Sequence, residues 1–507
     1  METLQFLLDG FAIALQPHNI AFAFIGVFIG TAVGILPGLG PSSGIALLIP
    51  ITAVLTGGLD AQAAATSGII MLAGVFYGAM YGGSTTSILL NTPGESASVI
   101  TAIDGYQMAK RGRGGAALSI AAIGSFIAGM FALLMLLILA RPLSELAIQF
   151  GPTEYFSLVV LGLAAVTGLA GKSMIKALIM MTTGLLVSTI GVDALTGVGR
   201  FTFEIPVLYQ GFDFITLAVG FFALGEVFRA ILHKDEAESV AKIDHLLPSR
   251  EEFRASAPAI GRGSLLGFFI GILPGAGPTL SSFMSYTLEK RVSKTPERFG
   301  KGAIEGVAGP ESANNAASGG AMIPLLVLGI PSSATTAVLM GAFIMYNVQP
   351  GPLLFEKYPD VVWGVIASMF VGNLMLLILN MPLIKIFAKL IETPAKYLLP
   401  MILAICVFGV YAVQVNLFSL VLMLVCGVLG YLLGQNDFPV APLILGRVLG
   451  PMLENNLRRA LTLSDGDFSI FVTQPISALL LAIAAMWILI PVLLKMRGKK
   501  VIVNEDA

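Results

Sequence analysis

Residues 34–41 read GILPGLGP, and residues 271–278 read GILPGAGP. Seven of eight positions agree, 237 residues apart. Each copy sets two prolines and three glycines inside an otherwise strongly apolar run. Proline removes a backbone donor and glycine frees the chain, so each copy ends one helix and starts another. Whatever this chain folds into, it breaks an apolar helix twice in the same way.

The solvent of those helices follows from composition. The chain is 56% hydrophobic and 12% charged, whereas soluble chains carry about 25% charged residues. A spanning helix needs ~20 mostly apolar residues. Candidate spans are 62–90, 116–140, 154–170, 173–191, 212–232, 316–346, 361–384, 397–413, 416–434 and 472–495. The stretches 20–56 and 258–289 are interrupted by the broken motif, and 438–453 carries Arg447 inside it. The expected fold is an all-α polytopic membrane protein with about a dozen membrane elements. The N-terminus METLQFLLDGF has no Lys or Arg, so it is expected to remain as a membrane-associated segment rather than a cleaved leader.

The duplication extends further. LLNTPGESAS (89–98) aligns with VLGIPSSATT (327–336), and Pro142-Leu143 with Pro382-Leu383. The expected units are an N-terminal segment (1–19), a first repeat (20–233), a mixed-charge cytoplasmic linker (234–257), a second repeat (258–470), and an extra helix with a cytoplasmic tail (471–507). Lys and Arg in short loops favour the cytoplasm. Lys110, Arg111 and Arg113 face no base in 342–353, and Lys290, Arg291, Lys294, Arg298 and Lys301 face none in 53–64. Basic charge thus alternates between equivalent loops, which predicts inverted repeats. Each broken motif then becomes the tip of a re-entrant hairpin.

Irregular backbone in a membrane must be buried in protein or line a wet cavity. Four breaks meet that description: PGLGPSSG (37–44), PGAGPTLSS (274–282), NTPGESAS (91–98) and GIPSSATT (329–336). Hydroxyl residues follow each, and a helix starting after a break offers free N–H groups and its positive end to an anion. Gly, Pro and small residues also serve close helix packing. Four breaks, paired by repeat and each rich in Ser or Thr, favour binding. The expected substrate-binding residues are Ser42, Ser43, Asn91, Thr92, Ser96, Thr279, Ser281, Asn314, Asn315, Ser332 and Ser333. Gly38, Gly275, Ser84, Thr85, Glu311 and Thr335 are candidate ion ligands, since broken helices supply carbonyl and hydroxyl oxygens to cations. Glu311, Asn314 and Asn315 are read as a polar cluster leading into a span, where unpaired amides are costly. Arg141, Arg200, Arg229 and Arg447 are read as interfacial anchors with snorkelling stems.

Other classes fit poorly. Net charge is −1, which argues against nucleic acid. Cys406 and Cys426 suggest neither a disulfide framework nor a zinc site. His18, His233 and His245 form no ligand spacing, so no metal and no cofactor is expected. GPSSG (40–44) lacks a membrane histidine to act as base, which weighs against an intramembrane enzyme. A passive channel remains an alternative, and no GxxxxGK[ST] is present for ATP.

Several segments together resemble the TctA family, the large membrane subunit of tripartite tricarboxylate transporters. They are GILPGLGP with LLIPIT (47–52), YGGSTTSILLNTPGE (81–95), GILPGAGP and GPESANNAASGG (309–320). The resemblance covers essentially the whole chain. It implies a bacterial inner-membrane protein working with a small TctB-like membrane subunit and a periplasmic TctC-like solute-binding protein. It further implies carboxylate substrates such as citrate and coupling to an ion gradient, with Na⁺ the expected ion.

Overall fold

The computed structural model describes residues 2–36, 39–165, 173–193, 196–232, 247–273, 275, 277–391 and 395–496. Helix α1 (Glu2–Ala14) precedes hairpin one, formed by α2 (Pro17–Ile35) and α3 (Pro41–Thr56). Then come α4 (Ala61–Leu90), α5 (Val99–Lys110), α6 (Gly114–Ile148), α7 (Pro152–Ala165), α8 (Met174–Ser188) and α9 (Phe214–Leu232). Hairpin two pairs α10 (Arg250–Ile272) with α11 (Gly277–Val292). It is followed by α12 (Glu305–Gly320), α13 (Ala334–Met345), α14 (Pro359–Asn380), α15 (Ile384–Ile391), α16 (Ala395–Gln414), α17 (Leu417–Gln435), α18 (Ala441–Leu463) and α19 (Pro475–Met496). Strands are confined, among the described residues, to a two-stranded ribbon, Gly191–Val192 with Gly199–Arg200. Among the described residues, eight helices are long and apolar enough to cross a membrane, accompanied by shorter apolar ones.

The two hairpins pack by the same device. A Cβ on Gly26, Gly30 or Gly34 would lie 2.2–2.5 Å from the carbonyl oxygens of Met71, Val75 and Ala79 in α4. A Cβ on Gly263, Gly267 or Gly271 would lie 2.2–2.4 Å from those of Gly309, Ala313 and Ala317 in α12. Glycine every fourth residue lets two helix backbones approach on one face. Both matches advance in the same direction along both chains, so α2 runs parallel to α4 and α10 to α12. Elsewhere the halves exchange partners. Helix α4 packs on α14 and α12 on α6, while α8 packs on α18 and α17 on α9.

The ends of the helices show the inversion directly. Asp104, midway along the short α5, accepts from the backbone N–H groups of Gly302 and Ala303 at 2.7 and 2.8 Å and from Tyr286 at 2.8 Å. Arg113 pairs with Glu252. The basic loops 104–115 and 290–301 therefore share one end of the molecule. At the other end, Gln62 donates to Asp360 at 2.7 Å, and the hydroxyls of Thr56 and Tyr346 meet at 3.2 Å. Helix α4 starts at this base-poor end and its repeat equivalent α12 starts at the basic end.

Two expectations are corrected in detail. Residues 250–257, expected within the linker, form the first turns of α10, because Ser249 and Glu252 make a reciprocal capping box. Glu311, Asn314 and Asn315 do not precede a span; they lie inside α12, fully buried. The helix persists despite Pro310 in its second turn, and its Gly, Ala and Ser side chains allow the close approach of α10. Helix α4 is almost wholly buried, whereas α16 and α17 expose much of their apolar surface, as with Phe408, Leu417 and Val421. The repeat helices that carry the breaks form the core, and the later helices present an apolar exterior.

Candidate functional site

Both breaks in the long spans have one backbone design. Helix α4 ends at Asn91 in the left-handed region (φ 56), and the turn before break two ends at Gly329 (φ 68), its equivalent. Each next helix opens with a capping box. Glu95 and Ser98 form it after break one, and Ser333 and Thr336 after break two. The same geometry thus carries a carboxylate in one repeat and a hydroxyl in the other.

Around break one the two repeats bond to each other reciprocally. Glu95, from the first repeat, accepts from Asn314 Nδ2 at 2.8 Å. Glu311, from the second, accepts from Ser84 Oγ at 2.6 Å and from Thr101 Oγ1. Asn315 Nδ2 donates to Ser125 Oγ at 2.7 Å and to the Glu311 carbonyl at 3.1 Å. The Oδ1 atoms of Asn314 and Asn315 are buried and have no hydrogen-bond partner among the described residues. Thr85 is buried on the same helix as Ser84, and Thr92 turns its hydroxyl onto the Leu90 carbonyl at 3.3 Å. Asn91 and Ser96 are exposed at the mouth of the break. This node holds two buried carboxylates, and Asn314, Ser84 and Thr101, which donate to them, are neutral.

Around break two the partners carry no charge. Ser42 and Thr335 hydroxyls meet at 3.0 Å, and Ser43 donates to the Phe222 carbonyl at 3.3 Å. Gly275, held at φ 78, donates its N–H to the Ser332 carbonyl at 3.0 Å. Ser332 Oγ is buried with no hydrogen-bond partner among the described residues. Ser333 caps α13, whose positive N-terminal end therefore opens into this node.

The two motifs join the nodes. Gly34, the first residue of the first motif, lies under Gly94 of break one, where a Cβ would meet its carbonyl at 1.9 Å. Ser42, just past the motif's end, is in node two. In the second motif Gly275 is in node two, while α11 packs on residues 96–98 and Ser282 donates to the Pro310 carbonyl at 3.2 Å. Thr279 is half-buried at the start of α11. Ser281 is buried and bonds back to Gly277 in its own helix at 3.0 Å, which turns it away from a ligand. Gly38 lies outside the described residues.

Residues 20–445 match the family model described as "Tripartite tricarboxylate transporter TctA family". This chain belongs to the TctA family. Two relatives from Agrobacterium vitis are similar to it. An "uncharacterized 52.8 kDa protein in TAR-I ttuC' 3'region" is 48% identical over the full length of both chains. An "uncharacterized protein in TAR-II ttuC' 3'region" is 47% identical over 242 residues, covering 47% of this chain and all of the relative. No solved structure matches. The TctA chain is thus the large membrane subunit of a tripartite transporter system, a multi-pass membrane protein.

Sequence reasoning passed over Glu95, Thr101 and Ser125. Glu95 sat in plain view within NTPGES; an acid inside an apolar chain region is expensive unless used, and that signal marks it. Thr101 and Ser125 carry no sequence signal, because only the fold brings them to Glu311 and Asn315. Arg447 is not an interfacial anchor. Its Nε and Nη2 donate to the Phe212 carbonyl at 3.2 and 2.9 Å inside a cavity. Arg200 is likewise held, by Glu454 at 2.6 Å.

Proposed function

We propose that this TctA chain carries a small carboxylate across a bacterial inner membrane by alternating access, coupled to entry of a cation, with Na⁺ the expected ion. The carrying observation is the chemical split between the two nodes on one repeated backbone. Node two offers hydroxyls, a buried Ser332 Oγ and a helix N-terminus, which suit a carboxylate without a fixed positive charge. Node one offers Glu95, Glu311 and the amide oxygens of Asn314 and Asn315, an all-oxygen set suited to a hard cation. A cation there offsets carboxylate charge that would otherwise be costly at the membrane centre. Each hairpin touches both nodes through Gly34 and Ser42 or through Gly275 and α11, so occupancy of one node can be felt at the other.

The basic end is placed in the cytoplasm by the positive-inside rule, with the C-terminus on that side and the base-poor end facing the periplasm. A TctC-like binding protein would deliver solute there, and a TctB-like subunit would complete the membrane unit. The test is uptake of labelled succinate, tartrate and citrate into proteoliposomes holding the complete transporter, with and without a Na⁺ gradient and binding protein. Coupled transport requires accumulation only with the gradient. Flux that is indifferent to the gradient would make the chain a passive channel and overturn the reading.

A further inference from the structure

A second polar site lies away from the nodes. A cavity of about 690 Å³ opens between the start of α9, the end of α13, the α16–α17 turn and the middle of α18. Residues 347–350 form part of its rim, so it opens at the base-poor end. Its wall combines apolar residues with Gln210, Asn347, Gln349, Gln414 and Asn455. Arg447 is its cation. Two of the guanidinium nitrogens are used on the Phe212 carbonyl, and among the described residues no carboxylate comes within 4.0 Å of it. The cavity's acid, Asp213, is turned onto the N-terminus of α9, accepting from Thr216 N–H and Oγ1 at 2.9 and 3.1 Å.

Two helices run from this cavity to node two. Helix α13 begins beside the Ser42–Thr335 contact and reaches the cavity wall at Met340–Met345. Helix α9 begins in the wall at Phe214 and supplies the Ser43 acceptor at Phe222. At 1.5 Å per residue the separation along either helix is about 8–15 Å. We infer that the cavity is a vestibule that holds the carboxylate on Arg447 before it reaches the hairpin tips. This rests on the carboxylate reading above and adds a separate waiting site to it. A planar guanidinium with a free edge is suited to a carboxylate, and the amide-rich wall suits its hydroxyl groups. Asp213 lines the same cavity but uses its carboxylate on the start of α9, so the free edge of Arg447 is the charge offered to a solute, and it favours an anion over a cation entering from the periplasmic side.

The test uses the full chain in proteoliposomes with Gln349→Cys as the reporter; Gln349 is exposed at the rim, and the native Cys406 and Cys426 are buried. The thiol is modified with an anionic sulfonatoethyl and a cationic trimethylammonium methanethiosulfonate, each rate normalised to a free thiol. The anionic reagent should be favoured by about fivefold, and millimolar citrate, tartrate or succinate should slow the reaction. Adding Arg447→Gln should level the two rates and abolish protection, and Arg447→Lys should keep the charge preference. Equal normalised rates in the Arg447 parent would overturn the inference, as would protection that survives Arg447→Gln. Labelling needs no partner subunit. If all three carboxylates fail to accumulate in the complete transporter, the carboxylate reading falls; if uptake proceeds with an unchanged half-saturation in Arg447→Gln, only the vestibule falls.

Discussion

The two span breaks share a backbone and differ in chemistry. Asn91 and Gly329 end their helices in the same left-handed conformation, and equivalent residues cap the helices that follow. Yet the cap is Glu95 in one and Ser333 in the other. Glu311 deepens the difference, since it bonds to break one's side of the molecule through Ser84 and Thr101. One backbone geometry thus occurs twice, with an acid at one cap and a hydroxyl at the other. A symmetric scaffold can in this way hold two different ligands at adjacent sites.

Breaking the shared scaffold should have the largest effect. Gly267→Leu or Gly30→Leu drives a side chain into a carbonyl 2.2 or 2.5 Å from the Cβ position. Overpacking costs about 1–3 kcal/mol, more where backbone must move. Both variants should lower the melting temperature in detergent to a similar degree, as read by fluorescence-detected size exclusion. Unequal losses would show that the two hairpins do not pack equivalently.

Glu311→Ala should come next. It leaves the buried Ser84 and Thr101 hydroxyls without their acceptor, at about 1–3 kcal/mol, and removes a proposed cation ligand. Uptake should fall by about 100-fold. Full uptake by Glu311→Ala would remove node one from the mechanism. The smallest effect is expected at the left-handed positions. Gly329→Ala should cost about 1–2 kcal/mol, since its Cβ would also lie 2.6 Å from the Pro350 carbonyl. Asn91→Gly should be close to neutral, because Asn already tolerates that conformation. Thermal shifts in the same detergent decide whether the two breaks differ in this order.

The parts of this design legible in the sequence are those written in local chemistry. Proline and glycine marked both hairpin tips and both breaks, and Lys and Arg in the loops marked the inversion that Asp104, Gly302 and Ala303 display at the basic end. Helix α12 was harder to place, because EGVAGPESANNAASGG is too polar for a hydropathy window and looks like a loop. Its small residues are there for the approach of α10, which is a tertiary demand. Glu95 was hidden by its surroundings of turn residues, which read as a break and nothing more. The Arg447 cavity draws on residues from 207 to 455, and no local pattern announces a convergence of that span.

Cation dependence and carboxylate affinity, measured together in proteoliposomes, test the division of labour most directly. Initial uptake of the transported carboxylate is recorded against both Na⁺ and substrate concentration for the parent, Glu95→Gln and Ser332→Ala. Glu95→Gln should raise the Na⁺ concentration for half-maximal rate by about tenfold and leave carboxylate half-saturation at high Na⁺ unchanged. Ser332→Ala should do the reverse. If both variants move the same parameter, the two nodes do not bind different ligands and the account is wrong.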